Sequence, residues 1–305
     1  MKQRFISKRR KKKLKTKFLF LLFLFFFSLY KTFNYLLNSN IKINDKILVK
    51  MLLNDNYKSN DNYFKDIYEK VKKNYSPTRL LMTNYYNIKI PVEKVSKKNG
   101  SDYLIYVYNT HQTEEYAANT FLEQEVHPTV MMASYILEDV FNKNNYKTLV
   151  EERSIKEVLN ANNWRYYKSY DASRIYLNDS KNKNPTLKYF IDVHRDSLEK
   201  GKTTVSINGK SYAKLIFLLG GENPKYLENK EFIEKINNKI EEKYPNLSKG
   251  IYQKEGQGVN GIYNQDNSKY TILVEIGGYE NTSDEVLNSS LAFSECFLEV
   301  INNEE

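Results

Sequence analysis

One cysteine, one tryptophan, six prolines and three histidines stand in a chain of 305 residues. A single cysteine excludes an intrachain disulfide and any cysteine-based metal cluster. Set in the apolar stretch VLNSSLAFSECFLEVI, Cys296 reads as a small buried hydrophobe. So few histidines mean that any imidazole metal site must draw on His111, His127 and His194. There is no HExxH helix and no internal repeat. Residues 1–17 contain no acid but ten Lys or Arg, which leaves 37 basic and 37 acidic residues over 18–305. The formal charge of +10 therefore belongs to the tail. The body is neutral, and composition supports no nucleic-acid partner.

After the basic tail comes FLFLLFLFFFSLY, residues 18–30, without a charge. A bilayer core needs about 20 residues. Continuing through Lys31, which can snorkel outward, to Leu37 supplies that length. No small-x-small cleavage site lies beyond it, so 18–37 reads as an uncleaved signal anchor rather than a cleaved signal. The basic end stays in the cytoplasm and the rest lies outside. Residues 38–98 are polar and mixed, and read as a stalk with short helices. Residues 99–305 form the main domain.

In that domain apolar runs of strand length alternate with amphipathic helical stretches. DYLIYVY, YKTLVEE, LKYFIDV and YTILVEI read as strands. The stretch 128–143 reads as a helix opened by Pro128, and 283–301 as a closing helix capped by Ser283. Asn208-Gly209 predicts a tight hairpin. Alternation of this kind implies an α/β fold, with a mostly parallel twisted central sheet flanked by helices.

Three strand-like runs end on groups that bind metals or move protons: His111, His194 and Glu275. Ligands bind outside the carboxyl ends of strands in open α/β sheets, so residues some 80 apart in sequence can converge there. Two imidazoles and a carboxylate, with one position open to water, form a catalytic zinc pattern. The bland alternative is a loop histidine, a His194 paired with Asp192 or Asp196, and a surface glutamate. His127 reads as a cap or surface residue.

Six segments, YVYNTHQTEEY, SYDASRIYLND, IDVHRDS, GGENPKYLENKEF, YPNLSKGIYQKEGQGVNGIYNQD and LVEIGGYENTSDEVLNS, occur in that order. Together they resemble the stage II sporulation protein P family, membrane-anchored cell-wall amidases of endospore-forming bacteria. The resemblance covers residues 102–302 and implies a zinc-dependent N-acetylmuramoyl-L-alanine amidase fold. It further implies Zn2+ held by His111, Glu114 and His194, with Glu275 as catalytic acid/base. Glu115, Glu123 and Glu125 remain alternatives for the carboxylate ligand, and NTHQ replaces the glycine-rich turn of the wider amidases. The substrate would be peptidoglycan, cut during engulfment, with a stem-peptide endopeptidase activity also attributed to the family. Its partners would be the stage II sporulation proteins D and M.

Arg195 and Asp196 would bind substrate carboxylates or orient His194, or form a structural pair. The loops 220–224 and 258–266, with Asn264 as a substrate contact, either line a glycan groove or merely connect elements. The tyrosines of WRYYKSYDASRIY either stack on sugars or pack. Two other classes stay open: a non-catalytic wall-binding scaffold that keeps the fold, and a zinc carboxypeptidase-like protease.

Overall fold

Two adjacent eight-residue strands, Tyr189–Asp196 and Thr271–Gly278, lie at the middle of the sheet, and their neighbours decide where the chemistry sits. The computed structural model describes residues 44–53, 102–121 and 124–303. The basic tail, the expected anchor 18–37, most of 38–98 and Glu123 lie outside the described residues. Among the described residues no helix is long and apolar enough to cross a membrane.

The sheet is built from β1 (Ile105–Tyr108), β4 (Thr148–Val150), β5 (Tyr189–Asp196), β8 (Leu215–Gly220), β9 (Ser248–Lys254) and β10 (Thr271–Gly278). Their order is β4-β1-β5-β10-β8-β9. The first four run parallel, β8 turns antiparallel against β10, and β9 runs parallel to β8. The sheet is thus mostly parallel, as expected, with a reversed edge. Two small hairpins stand apart, β2 (Asn119–Phe121) with β3 (Gln124–Val126), and β6 (Thr204–Ile207) with β7 (Lys210–Ala213). Positive φ at both Asn208 and Gly209 makes the β6–β7 turn the primed type expected.

Helices cover both faces, because a parallel sheet must be buried on each side. On one face lie α2 (Val130–Lys143), α5 (Tyr226–Lys243) and α6 (Ser283–Asn302), where the rings of Phe141, Tyr189, Phe232 and Phe293 surround Phe297. Cys296 is fully buried in the same helix, as expected. On the other face α4 (Ser169–Lys183) covers β1 and β5, with Leu177 packed among Tyr106, Tyr108 and Phe190, and α3 (Ile155–Ala161) packs on α4 through Ile155, Leu159 and Ala172.

Two helix starts differ from the expectation, by two residues at Val130 and by one at the cap Thr282. Thr129, not Pro128, opens α2, its hydroxyl accepting from the Met131 N–H at 3.2 Å. Thr282, not Ser283, caps α6, because Thr282 and Glu285 stand at capping-box spacing and exchange both hydrogen bonds. Between 38 and 98 the described part is α1 (Asp45–Leu53), which packs on α2. Its Asp45 accepts from the Thr129 backbone N–H at 2.8 Å.

Candidate metal centre

The segment after β1 is held at several points before it delivers a ligand. The Asn109 amide donates to the Val193 carbonyl at 2.7 Å and accepts from the Ser134 hydroxyl at 2.8 Å. Thr110 donates to Asp192 twice, from its N–H at 2.9 Å and its hydroxyl at 2.7 Å. Gln112 accepts from the Ile155 N–H and donates to the Arg153 carbonyl, both at 2.9 Å. Between these anchors the Glu114 N–H donates to the His111 carbonyl at 3.0 Å, a turn that puts the two side chains together.

His194 comes from β5, only 4% exposed. Glu114 lies between the imidazoles, with Oε1 3.4 Å from His111 Nδ1 and Oε2 3.5 Å from His194 Nδ1. The two rings stand at 87° with centroids 5.0 Å apart. One ligand atom from each residue fits within 4.8 Å of the others, so His111, Glu114 and His194 form a group able to hold a metal ion. Atoms bonded at about 2.1 Å to one tetrahedral ion lie roughly 3.4 Å apart, which the two Glu114 separations match. The residues fit the group that the sequence implies.

Behind this trio sits Asp192, completely buried. Its Oδ1 is 3.0 Å from His194 Nε2, close enough to pair although the ring N–H direction misses it. A carboxylate behind a ligating imidazole orients the ring and raises its basicity. Burial opposes charge on His194, but Asp192 and Glu114 hold its pKa up to about 10. Burial likewise opposes charge on Glu114, yet the two imidazoles hold that carboxyl well below the usual range.

Glu275 stands on β10 in direct register with His194, so both side chains leave the same face of the sheet. Burial, then the charge of Asp196, pushes its carboxyl up to about 7, with His194 opposing. A carboxyl poised there can accept and return protons near neutrality.

The other expected residues separate. Glu115 and Glu125 face the exposed His127, at 3.8 and 3.7 Å, leaving Glu114 as the carboxylate between the imidazoles. Arg195 braces the ligand loop, its backbone N–H donating to Glu114 at 3.2 Å and its Nε to the Glu115 carbonyl at 2.7 Å. Asp196 accepts from the Leu198 N–H at 3.2 Å and pairs with Lys249 at 3.4 Å. Orienting His194 falls to Asp192, not Asp196.

Asn264, expected to touch substrate, is instead 4% exposed with its side chain fully engaged. It accepts from Arg174 Nε at 2.8 Å and donates to Ser173 Oγ at 2.9 Å, because its left-handed backbone turns the amide inward. The loops 220–224 and 258–266 interlock, Glu222 N–H donating to the Gly261 carbonyl at 3.0 Å. The sequence offers Asp192 only as one of two partners of His194 in the bland alternative, although its i−2 spacing from His194 on a strand signals a shared face. It also left open Tyr166, whose ring lies on His111 with centroids 4.8 Å apart; among 26 tyrosines nothing local marks it.

The family model for Stage II sporulation protein P matches residues 28–298. Stage II sporulation protein P of Bacillus subtilis (strain 168) is 34% identical over 209 residues, covering 66% of this chain and 52% of that protein. The chain thus spans about half the length of the curated relative it matches. Among solved structures, the CwlD amidase from Clostridioides difficile, determined in complex with the GerS lipoprotein, aligns with a TM-score of 0.41 and 10% identity, covering 66% of this chain and 99% of that one. A metallo-carboxypeptidase from Burkholderia cenocepacia aligns at 0.40 and 8%, covering 70% and 60%. With the family model spanning nearly all of the chain beyond its basic tail, this protein belongs to the stage II sporulation protein P family.

Proposed function

We propose that the protein is a zinc-dependent hydrolase of peptidoglycan that cuts the amide between the N-acetylmuramoyl lactyl group and L-alanine. The observation that carries the reading is the His111–Glu114–His194 group facing Glu275 from the next strand. Zinc bound there would supply a Lewis acid for the amide carbonyl. Glu275 takes a proton from the attacking water and returns it to the leaving nitrogen, so the C–N bond breaks into a carboxylic acid and a free amine. Asp192 keeps the His194 ring in place, and Arg195 holds the Glu114 loop against β5.

Family membership supports work in sporulation, and the reading extends it to engulfment beside the stage II sporulation proteins D and M. It also puts residues 18–37 in the membrane with the domain outside, and leaves room for a second cut between stem peptides. Purified protein with zinc, incubated with sacculi, should release stem peptides with a free L-alanine amine, seen by mass spectrometry of the products. Intact muropeptides after prolonged incubation would favour the non-catalytic scaffold. Cleavage of peptides lacking muramic acid, with sacculi spared, would favour the carboxypeptidase-like protease.

A further inference from the structure

The metal group is the middle of a longer row. From β1 to β9 the sheet spans four inter-strand steps, roughly 19 Å at about 4.8 Å each. At one end stand Tyr166 and Tyr167, 56% and 73% exposed, on the single helical turn before α4. The Tyr166 ring lies 22° from parallel on His111, so an exposed aromatic surface continues directly from a metal-binding residue. At the other end Lys249, near the start of β9, reaches back to Asp196 at 3.4 Å. Asp196 is its only partner among the described residues, which leaves two ammonium N–H donors for a ligand.

A wall fragment has two unlike halves joined at the scissile amide. Its sugars present apolar C–H faces, which suit flat aromatic rings. Its stem peptide presents carboxylates, which suit an ammonium group. We infer that substrate lies across the strands in one direction, with its sugar over Tyr166 and Tyr167 and its stem-peptide carboxylates toward Lys249. Glu275, on a strand between the two ends, then faces the bond that joins the halves. The inference rests on the wall-hydrolase reading and adds to it the polarity of the bound substrate.

Binding to two probes that contain no cleavable amide tests it: peptide-free glycan strands, and a free stem peptide, each titrated into the full chain. Tyr166→Ala and Tyr167→Ala should each weaken glycan binding about fivefold to tenfold and leave the peptide unaffected. Lys249→Gln should do the reverse, and Tyr166→Phe should restore glycan binding. Tyr167→Ala guards against disturbance of His111, since the ring stacked on that imidazole belongs to Tyr166. Unchanged glycan binding in both tyrosine variants, a reversed pattern, or native protein that binds neither probe would overturn the inference. Failure of the hydrolase reading looks different, because both binding patterns would persist while sacculi stay uncut.

Discussion

Under α2 and α6 the sheet is closed by rings, Phe217 against Phe293 and both Tyr189 and Phe141 against Phe297. Beneath α4 the same sheet buries a polar chain. Asp192 holds Thr110, the Thr110 hydroxyl meets Ser173 at 2.9 Å, Ser173 accepts from Asn264, and Asn264 accepts from Arg174. Apolar burial is non-directional, so these rings supply stability without fixing any one group in place. Hydrogen bonds are directional and costly to leave unmade, so the second face fixes positions. The group able to hold a metal grows from the polar face, where Asp192, His194 and Glu275 point the same way.

The widest separation between the faces should come from Phe297→Ala. Truncating this buried ring should cost about 3–5 kcal/mol of stability, measured by denaturant unfolding. Zinc affinity of the remaining folded protein should hardly move. A large loss of affinity in the folded fraction would show that the apolar face also positions the site.

Glu275→Gln should produce the opposite signature, a rate lower by about 10²–10⁴-fold with zinc still bound. The native rate should rise with pH through about 7, since the base must be ionised. The sign for stability is reversed. Its folded pKa is raised, so this carboxyl favours folding at low pH, and that contribution fades as pH climbs from 4.5 through about 7. Glu275→Gln should therefore raise the melting temperature at pH 8 and not at pH 4. A zinc-free variant would instead make Glu275 a ligand.

Asp192→Asn should sharpen the contrast further. Losing the charge behind His194 should weaken metal affinity by about 10–100-fold, with little change in circular dichroism. Unaltered affinity would reduce Asp192 to a bolt for Thr110. The smallest effect concerns support from outside both faces: Asp45→Ala, which releases the Thr129 N–H at the start of α2, should cost about 1 kcal/mol in thermal or denaturant unfolding.

Much of the fold was legible because its signals are local. Buried strands such as IYVY and the ILV of TILVEIGG announce themselves by consecutive apolar residues, and Asn208-Gly209 by the φ > 0 that its turn demands. β9 was not legible. SKGIYQK is an edge strand, half-exposed, with Gly250 at φ 99°, so it lacks both alternation and a buried run. The starts of α2 and α6 were less legible, because a helix N-terminus is settled by which side chain reaches the free N–H groups, here Thr129 and Thr282.

The same division holds at the site. Sequence alone determined that His111, His194 and Glu275 each follow or end a hydrophobic run, because strand formation is a property of a few adjacent residues. It also settled the absence of an intrachain disulfide and the neutrality of the body. Only the tertiary structure decided that Glu114 lies between the two imidazoles, that Asp192 rather than Asp196 stands behind His194, and that Asn264 turns inward. It alone placed Tyr166 on His111. Those outcomes depend on strand register and on contacts between residues far apart in sequence, where a shift of one position sends a side chain to the opposite face.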